Sequence, residues 1–237
     1  MHKKRFFRIL YLLFLIVGLV ENTSAQGNLP YVDDKPIHFG FSLGMNAMDF
    51  GVTHSASSDS IRVSALAPGF SVGIITDLRL NRYLNLRFTP TLHFGERTLN
   101  YKLDSKYSNK PPTVLVQSIP ICLPIYLKYS SERYGNARPY LIWGGGMAID
   151  LSAGASAAGD FNKNQIGLKP IDFYTEFGVG CDIYFGFFKL CPELKYSIGF
   201  NNVLNKDYSS NDTSDKIYTQ MLTGLTSHVL TLAFNFE

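Results

Sequence analysis

Alternation between apolar and polar side chains is the feature that most constrains how this chain can fold. In the stretch KPIHFGFSLGMNAMDF, residues 35–50, one parity is apolar: Ile37, Phe39, Phe41, Leu43 and Met45. The other parity is small or polar: His38, Gly40, Ser42, Gly44 and Asn46. A period of two predicts a β-strand with one apolar and one polar face. The fold then depends on what the apolar face contacts, a second sheet in a soluble sandwich or lipid in a membrane barrel.

Eight segments of the chain show this alternation, and no helical periodicity follows residue 35. The segments are 37–48, 69–80, 83–95, 118–130, 138–151, 171–185, 188–200 and 226–237. Most of them are about 12–15 residues long, whereas strands of globular proteins average about 5–6 residues. A tilted transmembrane strand needs about 9–11 residues. The mean hydropathy near zero is too polar for a bundle of membrane helices.

The connections between these segments alternate in length. Three are short: 81–82, 131–137 and 186–187. Four are long and polar: 49–68, 96–117, 152–170 and 201–225. Short turns at one end and long loops at the other are typical of outer-membrane barrels. We therefore predict an all-β fold, an eight-stranded antiparallel up-and-down transmembrane β-barrel with short periplasmic turns and long extracellular loops. A soluble two-sheet sandwich is the alternative.

Charged side chains recur on the polar faces, which in a small barrel point into a lumen filled by side chains. Buried charges need partners of opposite sign. We predict a lumen charge network made of Asp77, Arg79, Arg87, Lys128, Asp172, Glu176, Asp182, Glu193 and Lys195. The acidic residues of segment 171–185, together with Tyr174, could instead form a proton or cation site. We favour salt bridges from these acids to Arg79, Arg87 and Lys195.

Prolines test the barrel hypothesis, because proline has no backbone N–H for the hydrogen-bond ladder. Four lie within predicted strands: Pro90, Pro120, Pro124 and Pro192. A closed barrel has no free edge, so each of these residues is expected at a bulge or a strand end.

The first residues predict a targeting segment. A basic stretch, HKKR, precedes the mostly apolar run FFRILYLLFLIVGLV and the small residues Thr23, Ser24 and Ala25. We predict a cleaved signal peptide over 1–25, a short lead over 26–36 and an outer-membrane barrel domain over 37–237. A membrane anchor is the alternative, but the run is short for one. Cleavage would remove four basic residues and one acidic residue, so the formal charge of +3 falls to zero. The basic character therefore gives no support to nucleic-acid binding.

The sequence contains no recognisable catalytic or metal-binding motif. The histidines are scattered over different segments, and the glycine-rich WGGGMA (143–148) is not followed by a predicted helix, so it is not a phosphate loop. Cys181 and Cys191 flank a short turn and could be cross-strand neighbours, although three unbonded cysteines are the simpler interpretation. We predict a protein that is not an enzyme, with no catalytic, cofactor-binding or metal-binding residues, no cofactor and no small-molecule substrate.

Several segments resemble one family of bacterial barrels. They are HFGFSLGMNAMDF (38–50), APGFSVGIITDLRLNRYLNLRFTPTLHFGERTLNY (67–101), SIPICLPIYLKY (118–129) before RPYL (138–141), and ELKYSIGFNNVL (193–204). Together they resemble the PorT family of Bacteroidetes outer-membrane barrels over about residues 35–237. The SIPICLPIYLKY and RPYL features also resemble the wider family of Bacteroidetes barrel domains.

The resemblance implies a component of the type IX secretion system, which exports folded proteins with C-terminal sorting domains and supports gliding motility where present. An eight-stranded lumen is too narrow for folded cargo, so an accessory or assembly role is expected. The implied partners are outer-membrane lipid and other secretion-system proteins. A general barrel for small-solute passage, or for ligand or envelope binding, is the alternative function. A barrel enzyme acting on lipid is a third class, for which the sequence offers no nucleophile motif.

Overall fold

The computed structural model describes residues 32–53, 61–63, 67–101, 113–153, 168–205 and 222–237. The predicted signal peptide, 1–25, lies outside the described residues. After a short 3-10 turn at Val32–Asp34, the elements are strands. They are β1 (Ile37–Thr53), β2 (Ile61–Val63), β3 (Ala67–Arg79), β4 (Leu84–Phe88), β5 (Thr91–Tyr101), β6 (Thr113–Ser118), β7 (Pro120–Ser130), β8 (Ala137–Asp150), β9 (Ile171–Tyr184), β10 (Lys189–Gly199) and β11 (Gly224–Phe236). No helix in these ranges has the length and apolar character needed to cross a membrane.

The eleven strands form eight antiparallel barrel strands, because β2 with β3, β4 with β5 and β6 with β7 each make one interrupted strand. Each barrel strand pairs with its neighbours along the chain. β1 pairs with β3 on one side and with β11 on the other, and this second pairing closes the ring. The predicted eight-stranded up-and-down barrel is therefore confirmed. A closed ring has no free edge that could pair with another chain.

The register gives the strands a defined tilt. A path of paired residues that starts at Ile37 and passes once round the barrel returns to β1 at Ala47, ten residues farther along. The path runs through Leu78, Leu86, Leu127, Trp143, Phe177, Tyr196 and Leu230. Such a stagger requires strands tilted by roughly 35–45° from the barrel axis, and eight strands then leave an interior just wide enough for side chains.

The two faces of the wall have the polarity of a membrane barrel. Large apolar side chains are exposed on the outside, among them Phe39 (70% exposed), Phe41, Trp143 (65%), Phe177 and Leu232. Inward side chains of the same strands are polar or charged and almost fully buried. This set includes Ser42, Asn46, Asp77, Arg87, Lys128, Glu176, Asp182, Glu193 and Lys195. A soluble sandwich would have the reverse arrangement, so the outer face is built to contact lipid.

The polarity reverses toward the long connections. β5 and β6 pair from Gly95 with Ser118 to Asn100 with Thr113. Here the inward Leu99 and Val116 are fully buried, while Glu96 on the outer face is exposed. The prediction of a loop over 96–117 is therefore wrong for residues 96–101 and 113–117, and that of a loop over 49–68 is wrong for 49–53, 61–63 and 67–68. The sequence pattern missed the strand residues of 96–117 because Leu99 and Val116 point inward, on the parity opposite to that of the lipid-facing apolar residues in the same barrel strands.

The four prolines are accommodated without a bulge. Pro90 lies between β4 and β5, but β3 keeps one register across the break, with Thr76 opposite Phe88 and Gly73 opposite Thr91. The carbonyl oxygen of Pro90 accepts a hydrogen bond from the Ile74 amide (3.1 Å). Pro120 begins β7, and Pro124 and Pro192 lie inside strands with continuous pairing to one neighbour. The hydrogen-bond ladder is thus interrupted on one side of these prolines, and no bulge is needed to accommodate a residue without an amide N–H.

The cysteines are free among the described residues. Cys181 of β9 points outward with Phe177 and Val179, whereas Cys191 of β10 points inward and is fully buried. Side chains on opposite faces of a wall cannot form a disulfide. The structure therefore agrees with the interpretation that the three cysteines are unbonded.

Candidate functional site

The lumen near the short turns is organised around Arg87 of β4. This guanidinium is 1% exposed and contacts three carboxylates. Nε donates to Asp77 at 2.8 Å, Nη1 to Glu193 at 3.3 Å and Nη2 to Glu237 at 2.6 Å. Asn85, two residues before Arg87 on the same inward face, donates to the other oxygen of Asp77 at 2.5 Å. Arg87 thus bridges acids of β3 and β10 and the residue that follows β11.

Two lysines extend this cluster around the barrel. The Nζ of Lys128 lies 2.8 Å from both carboxylate oxygens of Asp182. Lys189 pairs with Glu237 at 2.7 Å and with Asp182 at 3.9 Å. Glu237 therefore contacts both Arg87 and Lys189, and it joins the two halves of the network.

A third lysine carries the network toward the middle of the lumen. Lys195 pairs with Glu176 at 3.3 Å and with Glu193 at 3.6 Å. Two buried tyrosines complete the hydrogen bonding, since Tyr126 donates to Glu176 and Tyr140 to Glu193, each at 2.8 Å. The Tyr140 ring also faces a cation, Lys128, with the ammonium 4.0 Å from its centroid.

We call these residues the lumen network: Asp77, Asn85, Arg87, Tyr126, Lys128, Tyr140, Glu176, Asp182, Lys189, Glu193, Lys195 and Glu237. Every charged member lies within 4 Å of an opposite charge. This pairing offsets the large cost of burying ions. Because Arg87, Lys128 and Tyr126 are at most 2% exposed, side chains fill the lumen at this level.

The structure brings seven of the nine predicted lumen residues into this network. The other two lie elsewhere. Arg79 is at the short-turn rim, where it pairs with Asp34 at 3.0 Å. Asp172 lies near the opposite end and accepts a hydrogen bond from the Asn201 amide at 3.2 Å. The expected bridges from the acids of β9 to Arg79 and Arg87 are not the ones observed, because tilt brings Lys128, Lys189 and Lys195 closer to those acids.

Sequence reasoning missed five network members. Lys189 and Glu237 continue the inward parity of their segments, so a strict extension of the alternation would have found them. Asn85, Tyr126 and Tyr140 share that parity but carry no formal charge, so a search for charges alone passes over them. At the rim, the Tyr83 hydroxyl donates to Glu132 at 2.9 Å, and this bond raises the pKa of the phenol.

A second feature lies between the lumen network and the long-connection end. This upper-lumen cavity spans about 620 Å³, a volume that includes open solvent. Its lining includes His93, Arg97, Cys122, Asp172 and Tyr174. Beyond it, eight buried side chains form an apolar cap. They are Phe50, Leu99, Val116, Leu168, Val203, Leu204, Leu222 and Leu225.

The described residues contain no group of three or more His, Cys, Asp and Glu side chains that could hold a metal ion. Inward His93 and outward His228 lie on opposite faces of the wall, and His228 contacts Tyr196 at 3.1 Å. The arrangement that the lumen does offer is charge pairing at one level and a cavity at the next.

A family model of known proteins agrees with this architecture. A family model described as "Outer membrane protein beta-barrel domain" matches residues 24–205, which is more than half of the chain. No curated protein matches the sequence. Among solved structures, Neisserial surface protein A is 13% identical, with a TM-score of 0.40, and the match covers 85% of this chain and 98% of that chain. The N-terminal β-barrel domain of Pseudomonas aeruginosa OprF is 18% identical, with a TM-score of 0.32 and coverage of 82% and 96%. AlkL, solved in DMPC lipid bilayers, is 12% identical, with a TM-score of 0.38 and coverage of 91% and 94%.

The closed barrel with its apolar outer face defines an integral membrane β-barrel. The chain belongs to the outer-membrane β-barrel domain family, and its location is the outer membrane.

Proposed function

We propose that this protein is a non-catalytic accessory or assembly component of type IX protein secretion, and of gliding motility where that occurs. The observation that carries the proposal is the filled lumen, in which the lumen network occupies the cross-section of the barrel. The resemblance of the sequence to PorT-like barrels supports the choice of secretion system. A filled eight-stranded barrel leaves no path for cargo, so its contribution comes through contacts with other proteins of the machine.

The short-turn rim offers a surface for such contacts. A cleft there is lined mainly by charged side chains: Asp33, Asp34, Arg79, Arg82, Glu132, Arg133 and Arg138. Arg82 and Glu132 form an exposed pair at 3.4 Å. Exposed ion pairs contribute little to stability, so exchanging them for pairs with a partner protein costs the barrel little. We assign this rim to the periplasmic side, because outer-membrane barrels have their short turns there.

Deletion of the gene in the source organism tests the proposal. We expect proteins with C-terminal sorting domains to disappear from the medium and to return on complementation with the wild-type gene. A complementing variant with Arg82 and Glu132 both replaced by alanine should fold and yet restore less secretion. The proposal fails if these cargo proteins still reach the medium in the deletion strain. The abundance of unrelated outer-membrane proteins serves as the control for general envelope damage.

The alternative function is a general barrel for solute passage or for ligand or envelope binding, and the upper-lumen cavity favours its binding form. Solute passage is tested separately by planar-bilayer recordings on the purified protein. We expect no steady conductance, because the charges of the lumen network are buried and paired. Steady channel openings would refute the filled-lumen interpretation and support passage.

A further inference from the structure

Two buried arginines on the same barrel strand differ in how they are neutralised. Arg87 of β4 contacts three carboxylates. Arg97 of β5 also points inward and is 5% exposed, yet among the described residues it forms no ion pair. Its Nη2 donates to the Ser227 hydroxyl at 2.6 Å, and its guanidinium lies 4.4 Å from the centroid of Phe50. Its Nε has no hydrogen-bond partner among those residues.

The acids around the upper-lumen cavity are engaged elsewhere. Asp150 accepts hydrogen bonds from the Ser118 hydroxyl, the Ile119 amide and Ser152. Asp172 accepts from the Asn201 amide. Glu176 is held by the lumen network. The buried positive charge of Arg97 therefore faces carboxylates that already have other donors.

A second unpartnered polar group lines the same cavity. His93 of β5 is 7% exposed, and its Nδ1 has no hydrogen-bond partner among the described residues. Both His93 and Arg97 line the cavity. A neutral imidazole can present an N–H at either nitrogen. The cavity thus holds two buried nitrogens without hydrogen-bond acceptors, one of them on a permanent cation, and leaving buried donors unpaired is costly.

The remaining lining is largely apolar. It includes Pro120, Ala148, Leu168, Val203 and Val229. Ligand sites typically combine apolar walls with a few polar groups that fix the orientation of the ligand. Guanidinium groups pair well with carboxylates, because two N–H groups can reach two oxygens.

We propose that the upper-lumen cavity binds a small carboxylate-bearing molecule with an apolar body. The carboxylate pairs with the Nε edge of Arg97, His93 contributes a further hydrogen bond, and the apolar body rests against the cavity walls. This site goes beyond the proposed role in secretion and does not depend on it.

Binding is tested by calorimetric titration of the purified, detergent-solubilised barrel with 3-phenylpropanoate, with empty micelles as the blank. The matched probes are 3-phenylpropanol, 3-phenylpropylamine and inorganic phosphate. We expect the carboxylate to bind at least about tenfold more tightly than each of these, which corresponds to about 1.4 kcal/mol. Equal binding of the alcohol would show that Arg97 takes no part, and equal binding of phosphate would show a site for charge alone. Either result overturns the proposal, as does the absence of binding at millimolar concentrations.

Three variants locate the site. Arg97→Gln should weaken binding of 3-phenylpropanoate at least about tenfold and should leave the weak binding of 3-phenylpropanol unchanged. Arg82→Gln, at the exposed rim, should bind like the wild type. Ala148→Phe should fill the cavity and abolish binding with Arg97 still present. Heat-dependent gel mobility confirms folding of each variant. An affinity of Arg97→Gln for 3-phenylpropanoate equal to that of the wild type would refute the proposed site. If a variant fails to fold, the comparison of probes on the wild-type protein still tests whether the cavity selects a carboxylate.

Discussion

Replacement of Arg87 by methionine should destabilise the barrel more than any other single change in the lumen network. Methionine is apolar and matches the aliphatic stem of arginine, so it keeps the packing of the stem and removes the guanidinium with its charge and donors. Asp77, Glu193 and Glu237 would then lose a hydrogen-bond donor at 2.6–3.3 Å in a site that excludes water.

The size of the effect follows from this geometry. Removal of one partner from a buried ion pair costs roughly 3–5 kcal/mol, because the remaining charge stays buried without compensation. Asp77 keeps Asn85, Glu193 keeps Tyr140 and Lys195, and Glu237 keeps Lys189. These remaining contacts hold the loss within that range, although Arg87 has three acidic partners. Arg79→Met, at the rim, removes one partly exposed pair and should cost less than about 1 kcal/mol.

The assay is urea unfolding of the refolded protein in lipid vesicles, followed by tryptophan fluorescence. The chain contains one tryptophan, Trp143, whose side chain faces lipid, so the signal reports the membrane-embedded wall. A free energy of unfolding for Arg87→Met within about 1 kcal/mol of the wild type would refute the reasoning. A double-mutant cycle with Asp77→Asn adds a direct test. The two changes should be non-additive, since the second removes a charge that the first leaves unpaired.

Three further changes test other parts of the structure. Ile125→Arg places a charge on the lipid face of β7 and should cost about 2–4 kcal/mol in the same urea assay; an unchanged midpoint would mean that this face does not contact lipid. Gly180→Val should cost about 1–3 kcal/mol, because a Cβ at Gly180 would collide with the ring of Tyr140, and a stability equal to the wild type would contradict that packing. Oxidation should leave the gel mobility of the unfolded chain unchanged, because Cys181 and Cys191 lie on opposite faces of the wall; a reductant-sensitive band shift in the monomer would contradict that assignment.

The barrel could be predicted from sequence because its determinant is local. The inward and outward sets of β1 follow the parity of Phe41 and Ser42, and the same holds for each of the other barrel strands within the bilayer. Above the bilayer the same rule gives the wrong answer, because the outer face of the wall contacts water there. The polar Glu96 then lies outside and the apolar Leu99 lies inside.

The candidate site was less accessible to sequence reasoning, because its contacts depend on register and tilt. Lys128 and Asp182 are 54 residues apart and lie on barrel strands that do not pair with each other. No pattern within either segment specifies that meeting. Arg87 and Arg97 share the inward parity of one barrel strand, but the sequence pattern placed Arg97 in a connection. Only the three-dimensional arrangement shows that Arg87 pairs with carboxylates and that Arg97 Nε has no hydrogen-bond partner among the described residues.

The position of Glu237 links electrostatics to the order of assembly. Its backbone pairs with Lys189 immediately after β11, and β11 is the strand that completes the ring with β1. Until β11 docks, Arg87 and Lys189 lack the carboxylate that they share, and an open lumen must keep both cations hydrated. Sealing of the seam and expulsion of this water are then one event. The register that places β11 against β1 therefore also places the shared carboxylate between the two cations.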